Sequence, residues 1–585
     1  MTRSSDIVVA EQLWKSFGAA DGSEVTAIKG ISMSVGAGQL TGLVGADAAG
    51  KTTLLRMMAG LLKPDGGTLH VLGLDVAKDW QKVQDQISYM PQRFGLYDDL
   101  TVFENLGLYA DLHGVPETDR QNRFDRLLQM TGLAPFTERL AGKLSGGMKQ
   151  KLGLACTLVR SPSLLLLDEP SVGVDPLSRR DLWHIIMQLV VDERLTVVVS
   201  TAYMDEADRC DRVIVMDRGT LLAEGSPSAL RAGASGRTFI ATPPPGLPAR
   251  EMQVRLIECR DLVVDAVPRG GSVSFITRSG TLLAELANRL PDICFDTREE
   301  VLEDAFMILL RESDGAADPA PEPLVEHVPH HPRQGPIVQV RDLVRRFGNF
   351  TAVANTSFDV AQGEIFGLLG PNGAGKTTTF RMLCGLLPAS SGRIEVAGRN
   401  LRTARAQGRA RIGYVAQKFS LYGNLTVREN LAFFGGAYGL RGAALRDRIQ
   451  VSLSQFDLDP EAKSGNLPAG YRQRLAMATG LLHGPDILFL DEPTSGIDPL
   501  ARRSFWRSIT SLAKAGVTII VTTHFMEEAE YCDRIAIQDA GRMLVIGTPD
   551  EVRREAGTQG GADMNSVFIS IVEQARARSS GLQPR

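Results

Sequence analysis

GLLGPNGAGKTTTFRMLCGLLPASSGRIEVAG, residues 367–398, repeats a stretch met earlier in the chain, GLVGADAAGKTTLLRMMAGLLKPDGGTLHVLG at 42–73. Each copy contains GxxxxGK[ST], at 45–52 and at 370–377, between an apolar strand-like run and a helix-like run. A glycine-rich turn in that setting points successive backbone N–H groups at an anion, at the positive end of the helix dipole. Gly45, Gly50 and Thr53 would shape the first phosphate loop, and Gly370, Asn372, Gly373, Gly375 and Thr378 the second. Lys51 and Lys376 would reach the terminal phosphates of a nucleotide, and the hydroxyls of Thr52 and Thr377 would ligate magnesium. A single motif of this kind is sometimes only a tight turn, but two with the same downstream partners are not.

The likeness continues. ISYMPQRFGLYDDLTVFENL at 87–106 returns as IGYVAQKFSLYGNLTVREN at 412–430, and LLLLDEPSVGVDPLSRR at 164–180 as ILFLDEPTSGIDPLARR at 487–503. The register barely drifts, with Lys51 and Lys376 separated by 325 residues and Asp168 and Asp491 by 323. The chain is therefore a duplication, and its 585 residues exceed what one hydrophobic core organises. We read the first repeat as 1–235 and the second as 336–585. Between them, 236–312 carries alternating strand patterns (RTFIA, DLVVDAV, SVSFIT) and two helical ones (TLLAELANRL, REEVLEDAFMILL), a small α/β appendage. A linker rich in Pro and acidic residues follows at 313–335; its His327, His330 and His331 read as solvated linker, since no Cys or framework fixes them as a metal site.

In each repeat an apolar strand runs into Asp-Glu. Asp168 and Asp491 would hold magnesium, and Glu169 and Glu492 would orient or deprotonate the attacking water of phosphoryl transfer. Composition is that of ordinary globular protein, 43% hydrophobic and 23% charged, and a net charge of −4 offers no general surface for nucleic acid. Six scattered cysteines without a CxxC pair fit a reducing cytoplasm rather than a disulfide or zinc framework. MTRSSDIVVAEQ lacks a basic segment followed by an apolar core, and no apolar run approaches the roughly 18 residues of a membrane span. A membrane, where it matters, is expected to be reached through another subunit.

At this point the chain resembles the ABC ATPases over nearly all of 6–230 and 336–572. The resemblance implies two P-loop NTPase cassettes of α/β fold, each with a helical subdomain. It also implies further roles. Ser145, Gly146 and Gly147, in LSGGMKQ, match the signature that closes on the ATP of the opposite cassette. Gln92 and Gln417 match the Q-loop, which contacts magnesium and reports nucleotide state to the membrane subunit. Phe17 and Phe347 match the aromatic that stacks on adenine, and His524 in TTHFMEEAE matches the switch histidine. LTVxEN, with MDEA or MEEA, is similar to ATPase subunits of ABC-2-type drug exporters. That likeness implies ATP and magnesium as cofactors, integral membrane permeases as partners with a periplasmic adaptor reached through them, and a peripheral location on the cytoplasmic face of the inner membrane.

The copies differ where chemistry is expected. STAYMDEA at 200–207 aligns with TTHFMEEA at 522–529, so Ala202 stands where the second repeat has His524. Asp47 and Ala48 replace Asn372 and Gly373 in the first phosphate loop, adding negative charge and restricting the backbone. Conversely LSGGMKQ becomes Leu467-Pro468-Ala469-Gly470-Tyr471-Arg472-Gln473, and proline has no hydroxyl to bond with. With head-to-tail pairing as in the family, the deficits fall on one composite site and leave the other equipped. The alternative is drift with both sites turning over, consistent with the retained Glu169. Twin-cassette translation factors and DNA-repair ATPases fit less well, because the linker is short and Pro-rich and zinc-binding Cys clusters are absent.

Overall fold

The computed structural model describes residues 6–18, 24–92, 95–244, 246–314, 335–401, 403, 408–417, 420–557 and 563–579. The three linker histidines lie outside them. Residue contacts divide the chain into two units: Met1–Thr238 with Glu299–Gly315 and Asp498–Leu500, and Phe239–Arg298 with Ala316–Ile497 and Ala501–Arg585.

Each repeat builds the same two sheets. In the first unit a six-stranded sheet runs Thr220–Gly225, Arg212–Asp217, Leu40–Gly45, Thr196–Thr201, Leu164–Asp168, Ile87–Met90. All its pairings are parallel except the Thr220–Gly225 edge. A parallel sheet covered on both faces wants continuous apolar strands, and Leu164, Leu165, Leu166 and Leu167 are all fully buried. The second unit repeats the order with Arg542–Gly547, Arg534–Asp539, Ile365–Leu369, Thr518–Thr523, Ile487–Asp491 and Ile412–Val415. Four-stranded antiparallel sheets, led by the hairpins Asp6–Gly18/Glu24–Gly36 and Val338–Phe347/Phe350–Val360, complete the two cores. Between sheets, the helix Lys51–Met58 buries Leu54, Leu55, Met57 and Met58, each worth about 1.5–3 kcal/mol when fully removed from water.

LTVxEN has a structural meaning. Thr101 and Glu104 form a reciprocal capping box at the start of the helix Val102–Leu112, and Thr426 and Glu429 do the same for Val427–Ala437. The buried Asn105 side chain accepts from Tyr97 N–H (3.0 Å) and donates to the Tyr97 (3.1 Å) and Thr101 (2.9 Å) carbonyls. Asn430 makes the same set with Tyr422 and Thr426. Each asparagine thereby pins the segment after the Q-loop to the helical subdomain.

The segment 236–312 is divided between the units. Phe239–Arg298 clusters with the second, while the helix Leu302–Asp314 belongs to the first. That helix packs on the helices Pro227–Ala232 and Met204–Ala207, as Met564–Ser579 packs on Met526–Tyr531 and Pro549–Glu555 in the second repeat. The intervening body is a β-α-β-β-α-β unit: Thr238–Thr242, Ala249–Glu258, Val263–Arg269, Ser272–Thr277, Leu283–Arg289 and Cys294–Thr297, with sheet order second, third, first, fourth strand. Phe239, Met252, Leu256, Ala266, Phe275 and Leu286 form its core. The helix Ala249–Glu258 was not among the expected elements; Pro248 immediately before it, with Met252 and Leu256 one turn apart, was the available signal.

Candidate active site

In both repeats the phosphate loop turns directly from a buried strand into a helix. Gly50 (φ 99°) and Gly375 (φ 102°) precede the helices Lys51–Met58 and Lys376–Leu383 in left-handed conformation. A Cβ would lie 2.5 Å from Ala27 O at the first and 2.4 Å from Ala352 O at the second, so no side chain fits. The buried ammonium of Lys51 donates to Gly45 O (2.8 Å) and Ala46 O (3.1 Å), and that of Lys376 to Gly370 O (2.6 Å) and Pro371 O (3.0 Å). Thr52 and Thr377 take the second position of these helices, followed by Thr53 and Thr378. Thr52 Oγ1 donates to Asp168 Oδ1 at 3.1 Å. Ala48 adopts φ 62° where Gly373 adopts 82°, a left-handed alanine costing about 1–2 kcal/mol.

The carboxylates end the central strands. Asp168 Oδ1 accepts from Ser200 Oγ and Asp491 Oδ1 from Thr522 Oγ1, both at 2.7 Å. Glu169 (φ 49°) and Glu492 (φ 46°) sit in the left-handed region, strain of the kind held at functional sites by surrounding bonds. Here Glu169 N–H donates to Ser200 O (3.1 Å) and Oγ (2.9 Å), and Glu492 N–H to Thr522 O and Oγ1, both 3.0 Å. Sequence reasoning missed Ser200 and Thr522; the hydroxyl residues closing TVVVST and TIIVTT were the signal. It also missed Tyr89, whose hydroxyl donates to Asp168 Oδ2 at 3.2 Å and whose phenol burial pushes up to about 12. The Q-loop side chains reach the glutamates: Gln92 Nε2 donates to Glu169 Oε2 and Gln417 Nε2 to Glu492 Oε2, each at 2.6 Å.

The two switch segments are built on the same hydrogen bonds and differ in the residue those bonds surround. Thr201 Oγ1 donates to Glu206 Oε2 (2.5 Å) and accepts from Tyr203 N–H (3.0 Å). Thr523 repeats this with Glu528 (2.6 Å) and Phe525 N–H (2.9 Å). Between these matched scaffolds stand Ala202 and His524, both buried. His524 Nδ1 lies 3.3 Å from Glu492 Oε2, close enough to act on the carboxylate though short of the alignment of a full hydrogen bond. Burial alone would push the Glu492 carboxyl up, but His524 and then Lys376 outweigh it and hold it below the usual range. Burial pushes Glu169 up; Lys51 at 3.8 Å offsets only part, and Asp168 adds to the rise.

Ser145 caps the helix Gly146–Leu158, its Oγ accepting from Met148 N–H at 3.3 Å, whereas Pro468 before Ala469–Leu481 makes no such bond. A Cβ on Gly147 would fall 2.4 Å from the Ser178 side chain. Phe17 and Phe347 close the first strands of their hairpins, 40% and 47% exposed, enough to offer a ring face. Each carries a neighbouring cation that sequence reasoning missed, Lys15 Nζ at 5.5 Å and Arg345 Cζ at 4.5 Å from the ring centroid.

These residues fit a nucleoside triphosphate with magnesium. The Thr52–Asp168 pair has the hard oxygen donors that magnesium takes. The buried His524 Nε2 has no hydrogen-bond partner among the described residues, and a phosphate oxygen would satisfy it. The family pattern described as ABC transporter matches residues 28–172 and 353–495. The chain is 47% identical over 559 residues to the probable multidrug ABC transporter ATP-binding protein YbhF of Escherichia coli (strain K12), covering 94% of this chain and 96% of that protein. It is 39% identical over 252 residues to the Nod factor export ATP-binding protein I of Cupriavidus metallidurans, covering 43% of this chain and 82% of that one. A solved structure described as an ATP binding subunit of an ABC transporter shares 29% identity over 40% of this chain and 99% of its own, with a TM-score of 0.38.

Proposed function

The chain belongs to the ABC transporter family of ATP-binding proteins, and on that premise we propose that it powers a permease exporting drugs or other small molecules through two unequal ATP sites. It is an ATPase subunit, binding ATP and magnesium through its two cassettes. Among the described residues no helix is long and apolar enough to cross a membrane, which is consistent with permease subunits supplying the path. The multidrug description of the relative that matches nearly end to end supports drugs as the cargo class, and the export description of the Nod factor relative supports export as the direction.

On head-to-tail pairing, Lys376, Asp491, Glu492 and His524 share a nucleotide with Ser145, Gly146 and Gly147. Lys51, Asp168, Glu169 and Ala202 share one with the Pro468 segment. Magnesium supplies charge neutralisation at the phosphates when bound. Lys376 pairs with the terminal phosphates, Asp491 and Thr377 are the metal's protein partners, and His524 donates toward the phosphate from a fixed position. Glu492, ionised at neutral pH, orients the attacking water and accepts its proton. Basicity does not separate the sites, since the raised Glu169 would be the stronger base; the equipment around the glutamate does. The observation that carries this reading is the His524 imidazole 3.3 Å from Glu492, against a methyl group at Ala202 on the same scaffold.

The experiment is ATPase activity of Glu492→Gln and Glu169→Gln in the full chain. Glu492→Gln should lose about a hundredfold and Glu169→Gln much less. Equal losses would refute the inequality.

A further inference from the structure

Among the described residues the β-α-β-β-α-β body at 239–298 occurs once, after the first repeat, yet it packs within the second unit. Its helix Ala249–Glu258 and strand Val263–Arg269 lie against Met526–Tyr531, the short helix two residues after His524. Two ion pairs fix it there. Asp265 Oδ2 meets Arg503 Nε at 3.1 Å, with the side chains only 5% and 10% exposed. Arg250 Nη1 donates to Asp533 Oδ2 at 2.7 Å. A third point is the turn at Gly271 (φ 76°), where a Cβ would sit 2.9 Å from Asp550 Oδ2, at the helix Pro549–Glu555.

We propose that this body is a positioning module for the switch histidine, gripping through Asp265 and Arg250 the elements that flank His524. Arg503 belongs to the helix Pro499–Lys514, and the preceding residue, Arg502, lies 4.2 Å over the ring of Phe525, the neighbour of His524. Asp533 immediately precedes the strand Arg534–Asp539 that follows the switch helix, and accepts from Ile365 N–H at 2.9 Å, at the foot of the strand that leads to the phosphate loop. The first repeat needs no such aid for that bond, because Asp211 accepts from Leu40 N–H at 2.8 Å in the same way. Arg250 is therefore an addition to a scaffold that already closes. Buried ion pairs are weak glue, because desolvation offsets their attraction, but they are demanding about geometry. An apolar contact would hold the body on; charged pairs at these places set where the switch segment sits. The module serves the cassette that has an imidazole to aim.

The proposal rests on the reading that turnover belongs to the second cassette, and the test separates the two. Steady-state ATPase is measured on the full chain for Asp265→Ala, Arg250→Ala, the exchange Asp265→Arg/Arg503→Asp, and Glu492→Gln. Hydrogen exchange over 524–531 is followed in each. Asp265→Ala and Arg250→Ala should each lower kcat about tenfold, as small misplacements of a reacting group do, with KM for ATP unchanged and faster exchange over 524–531. The exchanged pair should recover at least half of the lost kcat, which ties the loss to the pairing of the two charges, while the fall in kcat at unchanged KM is what a merely structural contact would not predict. Unchanged kcat or unchanged exchange in the single variants, while Glu492→Gln abolishes turnover, would overturn the positioning role alone. A rise in KM with kcat intact would overturn it as well. Full activity in Glu492→Gln would instead remove the assignment beneath it. If Asp265→Ala does not fold, Arg250→Ala and the exchanged pair decide.

Discussion

Replacing His524 by alanine gives the second switch the residue the first already has. The backbone should not move, since Thr201 and Thr523 build the same loop around either side chain. What is lost is a buried donor 3.3 Å from Glu492 Oε2. Removing one donor that stabilises a developing charge costs about 3 kcal/mol, roughly a hundredfold in kcat, with KM for ATP little changed because Lys376 and the loop remain. A second readout follows from charge. In the native site burial would raise the Glu492 carboxyl, and His524 and Lys376 hold it down. Without the imidazole its pKa rises, so protonation inactivates the base at higher pH and the acid limb of the kcat profile moves toward neutrality. Phosphate release measured from about pH 5 to 8 would show both effects. A variant that keeps a third or more of native kcat, or whose acid limb stays in place, would refute the role given to His524.

The pairing of sites has its own test: Ser145→Arg and Lys376→Ala should each remove most turnover, and the double variant should cost little more, because groups acting on one transition state are not additive. If Ala469→Arg destroyed ATPase activity while Ser145→Arg left it intact, the pairing would be reversed. Thermal melting separates the glutamates. The raised Glu169 carboxylate favours the folded state below its unfolded pKa and loses that contribution as pH rises through its folded value. Glu169→Gln should therefore raise the melting temperature at pH 7, an effect not expected of Glu492→Gln, whose carboxylate is already favoured when ionised. Finally, photo-crosslinkers at the exposed Tyr97, Phe103, Tyr422 and Phe433, on or before the helices Val102–Leu112 and Val427–Ala437, should capture an integral membrane protein when the chain is isolated from membranes. Recovery of crosslinks within the chain alone would count against the permease partner.

The duplicated cassettes were legible because their motifs are local: a loop between a strand and a helix, or an apolar strand ending in two carboxylates, is a statement about neighbours in sequence. Ala202 and Pro468 were legible for the same reason, by alignment of one half on the other. The hydroxyl that holds each strand-end aspartate was not. Ser200 and Thr522 act on Asp168 and Asp491 across a parallel strand pair some 30 residues away, and pairing register is not written in either strand. The left-handed Glu169 and Glu492 were equally hidden, since glutamate gives no hint of positive φ. The helix Leu302–Asp314 read naturally as the end of the appendage, because periodicity reports that a helix has an apolar face and not which core receives it.

The order in which the chain leaves the ribosome gives the divided 236–312 segment a further meaning. Leu302–Asp314 can pack on the first unit as soon as it emerges, since Pro227–Ala232 and Met204–Ala207 are already made, but Asp265 must wait 238 residues for Arg503. At about 5–20 residues per second, that is on the order of 10–50 seconds before Arg503 and Asp533 are made and the two ion pairs can form. During this interval the β-α-β-β-α-β body must stand on its own core of Phe239, Met252, Phe275 and Leu286. A gene cut at the linker into two separately made halves would strand that body on the wrong product. The fusion of the two cassettes into one polypeptide is thus also a guarantee of delivery, one body for each second cassette.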